Sequence, residues 1–68
     1  MIEYTANFIF TLNCQIERGA TAPCTQQGLE WALEFVQSLN KEKMTERELS
    51  HACRLTTFRG KVKPVYKA

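Results

Sequence analysis

Residues 2–16 read Ile2-Glu3-Tyr4-Thr5-Ala6-Asn7-Phe8-Ile9-Phe10-Thr11-Leu12-Asn13-Cys14-Gln15-Ile16, and the fold turns on this stretch. Ile2, Tyr4, Ala6, Phe8, Phe10, Leu12, Cys14 and Ile16 fill the even positions. The odd positions are polar except for Ile9. A period of two is the pattern of a half-buried strand, and aromatic and β-branched side chains favour it. A helix competes, because Ile9, Leu12 and Ile16 fall on one helical face. The unbroken even series predicts the strand. Fully extended, it would span about 50 Å at ~3.3 Å per residue, which predicts a bend, a bulge or a hairpin near Leu12–Cys14.

Beyond a linker of small residues, Gly19 to Pro23, the period changes. Leu29, Ala32, Leu33, Val36 and Leu39 have the spacing of a buried helical stripe, with Thr25 placed as N-cap and Asn40 and Lys41 at the end. Thr45 and Glu48 form a capping box, flanked by Met44 and Leu49 at the positions of a hydrophobic staple. They predict a second helix from about Glu46 to Leu55 that buries Leu49, Ala52 and Cys53. Residues 57–66 return to period two, with Phe58, Val62 and Tyr66 on one side and Arg59, Lys61 and Lys63 on the other. Pro64 cannot donate to a ladder, so this predicts an edge strand. The expected fold is a single α+β domain over residues 1–68. Its order is β-α-α-β, with two helices covering one face of a small antiparallel sheet.

With 68 residues, 44% hydrophobic and 24% charged, the chain has a globular composition but a thin core. It contains no apolar run of membrane-spanning length and no basic leader segment. Three cysteines are an odd number for a disulfide scaffold, which predicts free thiols in the cytoplasm. Residues 1–53 carry four basic side chains against seven glutamates, a net −3. Residues 54–68 carry Arg54, Arg59, Lys61, Lys63 and Lys67 with no acid, a net +5. An electrostatic partner would meet that end.

The chemistry-bearing residues do not combine into a familiar site. Cys14, Cys24, His51 and Cys53 lack the close pairs of a structural zinc site, and His51 and Cys53 diverge on a helix. A Cys–His nucleophile would have no aspartate to orient it, and the three glycines build no phosphate loop. The expectation is no enzyme, no metal, no cofactor and no small-molecule substrate. Residues 45–56 have the pattern of the first helix of a helix-turn-helix, but Gly60 and Pro64 would break the recognition helix.

Two surfaces are candidates for partners. The first helix is apolar over an arc of about 200°, wider than the ~100° stripe that covers a sheet. Trp31 and Phe35 stand at its edge, either packed under the second helix or exposed as protein-binding or self-association anchors. A homodimer would combine them with the free edge of the first strand. The basic residues Arg54, Arg59, Lys61, Lys63 and Lys67 form the other surface. They suit an acidic protein or nucleic acid, or they guard an edge strand against aggregation. The functional expectation is a small non-catalytic protein-binding or regulatory accessory module, of the phage or mobile-element type by size alone. A nucleic-acid-binding regulator is the alternative.

Overall fold

The computed structural model describes residues 3–64, and in it the alternating stretch builds a helix from Thr5 onward. Strand β1 is Glu3–Tyr4 among the described residues, and α1 runs Thr5–Arg18. The predicted strand or hairpin is therefore corrected, for a geometric reason. Two residues along a helix turn by ~200°, so successive even positions fall on nearly opposite faces. Leu12 is fully buried, Phe8, Ile9 and Ile16 pack against the core, and Phe10 stands outside at 70% exposure. An apolar side chain at every second position is thus also the pattern of a helix that is apolar on two sides. The Ile9, Leu12 and Ile16 face is the one that packs inward.

The remaining helices lie close to where their sequence signals place them. Helix α2 spans Gln26–Leu39, with the Thr25 hydroxyl accepting the Gly28 N–H at 2.9 Å. It ends at Asn40, which takes the left-handed conformation (φ 51°) that helix C-termini favour. Strand β2 is Lys43–Met44, and α3 spans Glu46–Thr56. Both arms of the capping box form: the Thr45 N–H donates to Glu48 Oε1 at 2.9 Å, and the Glu48 N–H donates to Thr45 Oγ1 at 3.2 Å. Cys53 is exposed on α3, so the expectation that it is buried is corrected. The third core residue of that helix is Leu55, one turn past Ala52.

The result is a small α+β fold of order β-α-α-β-α among the described residues, dominated by helix. The sheet also differs from expectation. β1 pairs antiparallel with β2, Glu3 opposite Met44 and Tyr4 opposite Lys43, so the α2–α3 connection supplies the partner strand. Residues 57–64 form neither a strand nor a recognition helix. The N–H groups of Thr57 and Phe58 fold back onto the Arg54 and Leu55 carbonyls, which ends α3 without offering a ladder. The rest of the predicted C-terminal strand lies outside the described residues.

The core sits between the helices rather than under a sheet: Leu12, Leu29, Ala32, Val36, Met44, Ala52 and Leu55. α2 packs against both α1 and α3. No helix among the described residues is long and apolar enough to cross a membrane.

Candidate interaction surfaces

The segment after α3 turns back along α2. The Thr25 N–H donates to the Thr56 carbonyl, and the Thr25 hydroxyl donates to the Phe58 carbonyl, both at 2.9 Å. Phe58 then meets Trp31 with ring centroids 5.7 Å apart, and Lys63 pairs with Glu34. Phe35 meets His51 edge-on at 4.8 Å. Trp31 and Phe35 are both half-buried in these contacts, with their rings engaged by α3 and the segment that follows it.

The structure separates the predicted basic residues. Arg54, Arg59 and Lys61 are exposed, and no carboxylate among the described residues pairs with them. Lys63 is held by Glu34, and Lys67 lies outside the described residues. Val62 is 79% exposed rather than aligned with Phe58, because residues 57–64 do not keep a strand's alternation.

Hollows border the helices among the described residues. One, of about 490 Å³, is lined by Glu34, Phe35, Ser38, His51, Lys63 and Pro64, among others. Within it the Ser38 hydroxyl donates to the Phe35 carbonyl at 2.7 Å, and Glu34 is held by Lys63. Burial, helped by the positive charge of Arg54, lowers the His51 pKa and favours the neutral ring. Another hollow, about 710 Å³, opens between the start of α1 and the end of α2. The side chains of Thr5, Ile9 and Val36 border it. The Thr5 hydroxyl is buried without a hydrogen-bond partner.

The thiols sit on separate segments: Cys14 on α1, Cys24 ahead of α2 and Cys53 on α3. Burial raises the Cys53 pKa, and a negative charge on nearby Cys24 would raise it further. Among the described residues no three His, Cys, Asp or Glu side chains converge as metal ligands.

The surface that the sequence reading missed is the outer side of α1. Ala6, Phe10 and Cys14 lie at i, i+4 and i+8, opposite Leu12, on a side they share with Asn7, Asn13 and Glu17. Between Tyr4 and Ile16 the chain has no charged side chain, whereas α2 exposes Glu30 and Glu34, and α3 exposes Glu46, Arg47 and Arg54. The signal was present in the sequence as an uncharged run that a single buried face could not account for.

No family model, no curated protein and no solved structure matches this chain.

Proposed function

We propose that this chain is a non-catalytic protein-binding module that docks through the outer face of α1. One observation carries the reading: Phe10 stands 70% exposed on the outer side of α1, opposite the buried Leu12. Burying that ring would be worth roughly 1.5–3 kcal/mol. An exposed aromatic ring is the kind of side chain that anchors an interface. The free thiols suit a reducing, cytoplasmic setting.

A second reading rests on Arg54, Arg59 and Lys61, exposed and without acid partners among the described residues. It assigns them to an acidic protein or a nucleic-acid backbone. The two readings separate in one experiment. The wild type, Phe10→Asp and an Arg54→Ala/Arg59→Ala/Lys61→Ala triple variant are used side by side as affinity baits at two salt concentrations. Docking through α1 predicts partners lost with Phe10→Asp and kept by the triple variant, with little salt dependence. Loss with the triple variant and with rising salt, independent of Phe10, would replace it with the basic-segment reading.

A further inference from the structure

We infer that Cys24 and Cys53 are an oxidisable pair, which a disulfide oxidant closes into an intramolecular bond that locks the start of α2 to the end of α3.

The first ground is placement. The start of α2 is clamped to the end of α3. The Thr25 N–H donates to the Thr56 carbonyl and the Thr25 hydroxyl to the Phe58 carbonyl, both at 2.9 Å. Gly28 lies so near the Leu55 and Thr56 carbonyl oxygens that a Cβ would not fit. Cys24 is the residue just before Thr25. Cys53 lies one turn before Thr56, whose hydroxyl donates to the Cys53 carbonyl at 2.6 Å. Each side of the clamp thus carries one thiol next to its hydrogen bonds.

The second ground is mutual influence. A thiolate at Cys24 would add to the effect of burial in raising the Cys53 pKa, so the two sulfurs are near enough to feel each other's charge. Cys14, on α1, is not among the groups that shift Cys53.

The third ground is access. Cys53 is exposed, and Cys24 is half-buried against the core. An oxidant in solution meets Cys53 first, and Cys24 is the sheltered, resolving thiol. In the first step the Cys53 thiolate attacks one sulfur of glutathione disulfide, and one glutathione leaves as a thiolate. In the second the Cys24 thiolate attacks the Cys53 sulfur and expels the other glutathione thiolate. The two protein thiols lose two protons and two electrons. Glutathione disulfide gains them and departs as two thiols. A raised pKa makes Cys53 a slow nucleophile at neutral pH. Closure therefore answers sustained oxidising conditions, and a reducing glutathione pool keeps the pair open.

The test sets the fold against chain length. In an unfolded chain, ring closure weakens roughly as the −3/2 power of the separation. Cys14 and Cys24 are 10 residues apart, and Cys24 and Cys53 are 29. Without structure, the Cys14–Cys24 bond should form about fivefold faster than the Cys24–Cys53 bond. The fold has to reverse that order. The unmodified chain is oxidised with glutathione disulfide in buffer and, separately, in urea, then alkylated and digested with trypsin without reduction. Cleavage leaves the three thiols in separate peptides, 1–18, 19–41 and 48–54.

The folded chain is expected to yield 19–41 bonded to 48–54, from a monomer that has lost two hydrogens, with Cys14 outside the bond. In urea the bond between 1–18 and 19–41 should lead. Cys14→Ser should keep the folded-state bond, and Cys24→Ser should stop the reaction at a glutathione adduct on Cys53. Three results would each overturn the pair: a bond to Cys14 that dominates in buffer, disulfides only between chains, or glutathione adducts on Cys24 and Cys53 that never resolve.

Discussion

At the scale of single residues, two side chains sit under unequal terms. Thr5 is buried, and its hydroxyl has no hydrogen-bond partner, while its backbone N–H donates to the Glu42 carbonyl at 2.8 Å. A buried hydroxyl without a bond costs about 1–3 kcal/mol. Thr5→Val keeps the shape and removes that cost. It should raise stability by about 1 kcal/mol in urea unfolding, and a lower midpoint would show that the hydroxyl is bonded after all. His51 is the second case. Its folded pKa lies below the ordinary value of about 6.5, from burial first and then Arg54. The unfolded chain therefore binds the proton more tightly than the native one. The contribution is fully present above pH 6.5 and is lost as pH falls through the depressed folded value. The thermal midpoint should fall between pH 7.5 and pH 5, and His51→Gln should flatten that fall. Glu48, held below its ordinary range by Lys41 and the Thr45 N–H, titrates at lower pH and would not mask the effect.

At the scale of elements, the α2–α3 contact is set by Gly28. A Cβ there would lie 2.7 Å from the Thr56 carbonyl oxygen and nearer still to that of Leu55. Both are backbone atoms that cannot swing aside. Gly28→Ala gains up to ~1 kcal/mol of helix propensity, but overpacking against α3 costs about 1–3 kcal/mol. The expected net result is a less stable protein by chemical denaturation. A more stable one would mean that α2 and α3 do not approach this closely. Sequence patterning located these two helices well, because their apolar stripes are one-sided and their caps are local. Thr25 and the Thr45–Glu48 box need nothing from the rest of the chain to be recognised. The alternation in α1 was ambiguous, since at ~100° per residue it spreads apolar side chains over both sides of a helix as readily as over one side of a strand.

At the scale of the whole molecule, Trp31 tests whether the aromatic edge of α2 belongs to the fold or to a partner. Its ring is half-buried and packed at a tilt against Phe58, 33 residues after the α2 N-cap Thr25. Trp31→Ala should lower stability by about 2–4 kcal/mol, somewhat less than the loss of a fully buried ring. The thermal midpoint should shift equally at low and high protein concentration. A coupling of about 0.5–1.5 kcal/mol with Phe58→Ala in a double-mutant cycle would confirm the pair. If the loss instead grew as the protein was concentrated, Trp31 would belong to a self-association surface.

The sequence by itself determined α2 and α3, their caps, the stripe of Leu29, Ala32 and Val36, and the segregation of positive charge after residue 53. These are local properties, set by side-chain spacing over a few residues. Tertiary structure decided which of two apolar faces of α1 points inward, because only packing against α2 distinguishes Leu12 from Phe10. It also decided that β1 pairs with Lys43–Met44, a long-range match for which two-residue strands carry no periodicity. Lastly, it turned the Trp31 and Phe35 rings toward Phe58 and His51, contacts made only once α3 and the segment after it have packed on α2.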